Sequence, residues 1–185
     1  MIGLSKLIVC LTGMPGAGKS TIANGLKSKG FDVINMGDAV RTEAKKRNLE
    51  PTGKNLGKLM LELREKNGPG AIAELILEQI TTSDASVVVI DGIRSNAEID
   101  VLRKIGTVKI LAIHASTNTR YSFLTKRGRS DDPQNSETFN ERDAREIGVG
   151  VSNSIALADE SISNNNMTIN ELIDTTYKII KGWIN

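Results

Sequence analysis

The stretch Val9–Thr21, VCLTGMPGAGKST, restricts the fold more than any other part of the chain. An apolar run leads into a loop with glycines at Gly13, Gly16 and Gly18, and the loop ends in Lys19, Ser20 and Thr21. Gly13-Met14-Pro15-Gly16-Ala17-Gly18-Lys19-Ser20 fits the phosphate-loop pattern G-x-x-x-x-G-K-[ST]. Glycines let successive backbone N–H groups turn inward and cradle phosphate oxygens. The helix that follows points its positive end at the same oxygens. Lys19 can reach the β- and γ-phosphates, the Ser20 hydroxyl can ligate Mg2+, and Thr21 can support the helix start. A glycine-rich turn with an incidental lysine is the bland alternative. The strand-like run before the loop and the helical pattern after it argue instead for a nucleoside triphosphate site.

The rest of the composition is ordinary. The chain has 185 residues, enough for one domain with its own core, and is 39% hydrophobic and 25% charged. Its 24 basic and 22 acidic residues leave a net charge of +2, too balanced to argue for direct nucleic-acid binding. The one cysteine, Cys10, lies in an apolar run and reads as a buried thiol, in keeping with a reducing, cytoplasmic setting. No apolar stretch approaches the ~20 residues of a membrane span. The opening MIGLSKLIVCLTG is interrupted by Lys6 and reads as a first strand rather than a signal peptide.

Strand and helix patterns then alternate. Strands are expected at Leu7–Leu11, Asp32–Asn35, within ASVVVIDG, at Val108–His114 and near Ser161. Helices are expected at Ser20–Ser28, Asp38–Arg47, in two halves on either side of Gly68-Pro69-Gly70, near Ala97–Lys104, near Thr119–Arg127, at Phe139–Ile147, at Ser152–Ala158 and at Ile169–Gly182. The segment RGRSDDPQNSET, Arg127 to Thr138, reads as a charged loop. Such alternation predicts an α/β fold with a parallel sheet, whose site lies past the carboxyl ends of the strands.

Residues at those ends supply the remaining candidates. Asp91 closes the most β-branched run and is placed to hold Mg2+ beside the loop, with a capping role as the alternative. Gly92 lets a ligand approach the backbone, and Arg94 projects where a second phosphate would sit. In NMGDAVR, Asp38 is expected to cap a helix, and Arg41 one turn on would form a clamp with Arg94 for an anionic acceptor. Arg127, Arg129, Arg142 and Arg145 surround the charged loop like cations of a small lid that neutralise migrating charge. Arg142 and Arg145, three apart, are expected on one helix face. The alternative for all four is a salt-bridged surface with Asp131, Asp132, Glu141, Asp143 and Glu146. His114 reads as packed or capping. No Cys/His cluster suggests zinc.

Together LTGMPGAGKST, MGDAVR, VVVIDGIR and RGRSDDP resemble the nucleoside-monophosphate kinase superfamily. With GKLMLELRE, GPGAIA and DGIRS, the whole chain resembles archaeal adenylate-kinase-related proteins of the dephospho-CoA kinase-like type. The resemblance implies a P-loop NTPase core with a parallel five-stranded sheet of order 2-3-1-4-5. It divides the single domain into a core at 1–36, 82–127 and 140–185, a helical acceptor arm at about 37–81 and a lid at about 128–139. It implies that Gly13 to Thr21 bind ATP, that Ser20 and Asp91 hold Mg2+, and that Arg41, Arg94, Asp38 and Gly92 bind a small phosphorylated acceptor, a nucleotide or a nucleotide-like molecule. Lys19, Arg127 and Arg142 would stabilise the migrating phosphoryl group. Met36 stands where adenylate kinases usually carry Thr, and Ile93-Arg94 follows DG without their proline, so AMP is not assigned as the acceptor. SNNNMTINEL resembles the segment that lines the donor adenine in dephospho-CoA kinases. The expected activity is phosphoryl transfer from ATP. The rival reading is an ATPase switch acting on a macromolecular partner such as a ribonucleoprotein assembly factor. The oligomeric state stays open.

Overall fold

The computed structural model describes residues 6–184; the expectations that touch Met1–Ser5 lie outside them. Five strands form one sheet: β1 (Leu7–Thr12), β2 (Asp32–Asn35), β3 (Val87–Ile93), β4 (Thr107–His114) and β5 (Glu160–Ser163). Their order is β2-β3-β1-β4-β5, as expected, and every pairing is parallel. Helices cover both faces, so the central strands are apolar on both. In β1, Ile8 and Cys10 pack into one core layer, while Val9 and Leu11 pack into the other. Burial also pushes the Cys10 thiol pKa far up and leaves it inert.

One layer is closed by α1 (Lys19–Ser28) and α10 (Ile169–Ile184), through Ile22, Leu26, Leu172 and Ile180. The opposite layer rests on the helical segment between β2 and β3. That segment holds α2 (Met36–Lys46), α3 (Gly53–Asn67), α4 (Ala71–Glu74) and α5 (Leu77–Thr82), followed after β3 by α6 (Asn96–Arg103). Val40, Leu59, Ile72 and Ile99 carry its apolar side into the core. After β4 come α7 (Thr117–Arg127), the loop 128–135, α8 (Ser136–Val149) and α9 (Val151–Ala156).

Two expected boundaries move, each for a capping reason. Asp38 does not cap the helix after β2. Asn35 does, its Oδ1 accepting from the Asp38 N–H at 3.1 Å, so α2 begins at Met36. The charged loop is shorter than Arg127–Thr138. Asn135 and Thr138 form a reciprocal capping box that starts α8 at Ser136. In addition, Pro69 precedes α4 rather than entering its first turn, and the His114 side chain is exposed rather than packed.

Candidate nucleotide and phosphate site

The carboxyl ends of the strands open into one cavity of about 580 Å³. Its floor is the loop between β1 and α1. Gly13 has a φ of 145°, and a Cβ there would stand 2.2 Å from the Ile113 carbonyl oxygen of β4. Only glycine therefore lets β1 turn over the neighbouring strand. Gly18 is the N-cap of α1, with no side-chain cap bond and no acidic residue in the first turn. The first N–H groups of α1 thus have no capping side chain and face the loop, the arrangement that suits an anion. Asn164, just after β5, donates to the Ala17 carbonyl at 2.9 Å and fixes the far side of the loop.

Lys19 Nζ donates to the Gly13 and Met14 carbonyls at 2.6 and 3.1 Å. Burial lowers its pKa to about 8, opposed by the nearby Asp91 carboxylate. Asp91 is 2% exposed, and burial raises its pKa against the pull of Lys19. Its Oδ2 accepts from Ser20 Oγ at 3.3 Å and from Asn35 Nδ2 at 2.7 Å. Ser20 and Asp91 therefore meet as expected, and this hydroxyl–carboxylate pair fits Mg2+ beside a phosphate. After Asp91 the β1–β3 register slips so that Thr12 pairs with Ile93, and Gly92, with φ 104°, bulges out.

Arg41, Arg94, Arg127 and Arg142 also line the cavity, each held by a carboxylate. Arg41 bonds Asp38 at 2.9 Å and Asp131 at 3.1 Å. Arg94 bonds Glu146 at 3.0 Å. Arg127 grips Asp132, which also accepts from the Arg129 N–H at 2.9 Å. Burial works against the Asp132 charge, but these bonds outweigh it and hold its pKa below the usual range. Arg142 donates to the Asp131 carbonyl at 3.0 Å, and burial and the neighbouring Arg94 both depress its pKa. Asp131 and Asp132 thus tie the loop 128–135 down onto the cations, where phosphate oxygens would compete for the same donors.

Most expected site residues converge on the cavity: Gly13, Pro15, Gly16, Gly18, Lys19, Ser20 and Thr21 with Asp91, Gly92, Arg41, Arg94, Arg127 and Arg142. The Met14 carbonyl accepts from Lys19 within the loop, and the Ala17 carbonyl accepts from Asn164. The Asp38 side chain is 74% exposed and acts only through Arg41. Arg142 and Arg145 part ways, Arg142 toward Asp131 and Arg145 onto α3 at Gly57. Arg120 was not singled out by the sequence. It is 5% exposed, donates to the Pro15 carbonyl at 3.1 Å and forks onto Asp143 at 2.9 and 2.6 Å. Its place two helical turns before Arg127 was the available signal. Asn35 also went unremarked, because an asparagine after a strand reads as turn chemistry.

A parallel sheet of this order, with a glycine loop and lysine between β1 and α1, defines a P-loop protein of kinase-like fold. The AAA domain family model matches residues 12–140. The UPF0200 protein of Hyperthermus butylicus is 44% identical over 164 residues, 89% of this chain and 88% of that one. The UPF0200 protein of Pyrococcus horikoshii is 40% identical over 186 residues, 96% of this chain and 100% of that one. The chain belongs to this UPF0200 family of AAA-domain proteins. Among solved structures, TT1252 from Thermus thermophilus superposes with a TM-score of 0.69 at 18% identity, covering 98% of this chain and 99% of that one. A shikimate kinase from Acinetobacter baumannii, solved with shikimate, gives 0.60 at 14% identity, covering 97% and 94%. At those identities the likeness concerns the fold. No helix among the described residues is long and apolar enough to cross a membrane.

Proposed function

We propose that the protein is a Mg2+-dependent phosphotransferase of the nucleoside-monophosphate kinase type, which moves the γ-phosphoryl group of ATP to a small phosphorylated acceptor. The observation that carries this reading is the cavity that Arg41 and Arg94 share with Lys19 and the phosphate loop. A plain hydrolase has no use for that second pair of cations. The segment from α2 to α5 serves as the acceptor arm, and the loop 128–135 with its flanking arginines as the lid. Asn164, Met167, Thr168 and Ile169 line the donor side, in the segment that resembles the adenine wall of dephospho-CoA kinases.

In the reaction an acceptor oxygen attacks the γ-phosphorus, the bond to the β–γ bridging oxygen breaks, and ADP leaves with that electron pair. A phosphate acceptor is already ionised at neutral pH, so no general base is required. Lys19 and the N–H groups of the loop hold the donor oxygens. Ser20 and Asp91 would hold Mg2+, which would supply positive charge at the phosphates. Arg127 and Arg142 neutralise the migrating group once phosphate displaces Asp131 and Asp132. Arg41 and Arg94 keep the acceptor in line, and positioning of this kind carries much of the barrier reduction.

Steady-state kinetics with a panel of phosphorylated acceptors tests the assignment. Arg41→Ala and Arg94→Ala should each raise the acceptor KM by roughly tenfold or more, as expected for a lost charge-assisted bond, with the ATP KM unchanged. Unchanged acceptor KM in both variants would remove the arm from the mechanism. ADP formation indifferent to every acceptor would favour the ATPase switch.

A further inference from the structure

Arg145 stands apart from the acid-paired arginines of the cavity. Arg41, Arg94, Arg127 and Arg142 all have carboxylate partners. Half-buried Arg145 has no acid partner among the described residues, and its buried Nε has no hydrogen-bond partner. Its place is nevertheless built. The guanidinium rests on the backbone of α3 at Gly57, where a Cβ would stand 2.6 Å from Nη1 and 2.7 Å from Cζ. Any residue but glycine at 57 would displace it. On the same face of α3, Met60 Sδ lies 3.1 Å from Arg94 Nη1. Arg94 and Arg145 therefore meet neighbouring turns of one helix face, about 4.5 Å apart along its axis.

The charges at this end are otherwise balanced. Asp38 and Asp131 offset Arg41, and Glu146 offsets Arg94. Among the described residues, Arg129 and Arg145 are the cavity arginines without a carboxylate partner; Arg129 is exposed on the loop 128–135, whereas half-buried Arg145 packs on α3 beside Arg94. Val40, Leu56 and Met60 supply the apolar wall there. Among the described residues, Phe123 on α7 is the one aromatic lining the cavity, so the acceptor end offers no ring on which to stack a base. We infer that the acceptor carries a second acidic group besides its phosphate, that Arg145 binds this group, and that the acceptor is a phosphorylated aliphatic acid. This rests on the kinase reading of the cavity given above.

Two probes of nearly equal size separate the possibilities: 3-phosphoglycerate, which has a phosphate and a carboxylate, and glycerol 3-phosphate, which has the phosphate alone. Calorimetric titration of each into the full chain saturated with Mg2+ and ADP keeps the probes off the phosphate loop. The carboxylate should tighten binding by roughly tenfold or more, the value of a charge-assisted bond pair. Arg145→Met should abolish that preference and leave glycerol 3-phosphate and ADP affinities unchanged. Gly57→Ala, which keeps the charge but displaces it, should also reduce the preference, and serves if Arg145→Met does not fold. Equal affinity for the two probes in the parent protein, or a preference that survives both variants, overturns the role of Arg145 while leaving the clamp intact. Binding of ADP with no binding of either probe overturns the aliphatic-acid acceptor inferred here, and the kinase reading then stands or falls on the acceptor panel above.

Discussion

Lys19 is the residue on which most of the site's electrostatics converge. Its pKa near 8 reflects burial first, moderated by Asp91. The folded value lies below the unfolded one, so holding the buried ammonium costs stability at neutral pH. That cost is relieved as the pH rises from about 8 toward 10.5, where the unfolded chain keeps a proton that the folded chain has released. A nucleotide phosphate beside Nζ favours the charged form, so binding above pH 8 takes up a proton. ADP affinity should fall as pH rises past that point, by up to about tenfold per pH unit. Calorimetry at pH 8.5 in two buffers of different ionisation enthalpy should show this uptake, and Lys19→Met should show none. Asn35 makes a second test at this scale, because its amide both caps α2 and bonds Asp91. Asn35→Asp keeps a cap but sets two carboxylates together. It should lose about 1–2 kcal/mol of stability in EDTA and recover part of it with Mg2+, as thermal unfolding would read.

At the scale of elements, the loop that binds phosphate is held by helices far along the chain. Arg120 of α7 bonds the Pro15 carbonyl and also Asp143 of α8, so the helix that carries Arg142 and Arg145 is tied to the phosphate loop. Both partners are buried or nearly so, and removing one leaves the other charge uncompensated. Arg120→Met should cost about 3 kcal/mol in urea unfolding and weaken ADP binding, since the loop loses its brace. The helix α3 shows a related dependence. Gly57 lowers helix propensity inside α3 by about 1 kcal/mol relative to alanine, whereas Gly53 stands at its first position, where the cost is smaller. Their reason is close approach, to the Asp131 carbonyl at 3.0 Å and to Arg145 at 2.6 Å from where a Cβ would stand. These couplings explain what the sequence could not disclose. Gly13 to Ser20 were legible because the pattern is local and each residue acts within its own loop. Asp91 and Arg94 were legible because a buried strand's end is marked by its β-branched run. Arg120, Asn35 and the separate destination of Arg145 depend on partners 105, 56 and 88 positions away, which spacing along one helix does not reveal.

At the scale of the molecule, alternation of strand and helix predicts a parallel sheet but not its strand order. The order 2-3-1-4-5 came with the resemblance carried by MGDAVR and VVVIDGIR, and the sheet has it. That order puts β3 between β2 and β1, so Asn35, Asp91 and the phosphate loop share one edge of the sheet. The helical segment after β2 and the loop 128–135 after α7 meet where Arg41 reaches Asp131. On the proposed kinase reading, the cavity joins a donor end to an acceptor end. The central claim of that reading is that the γ-phosphoryl group moves to an acceptor and not to water. Phosphorus NMR of Mg2+-ATP with the protein and the acceptor panel, against a Lys19→Ala blank, tests this most directly. Phosphoryl transfer predicts that the γ-phosphorus signal disappears into a new phosphate linkage on one acceptor, matched one for one by ADP. A signal that moves only to inorganic phosphate, at a rate no acceptor changes, would contradict it.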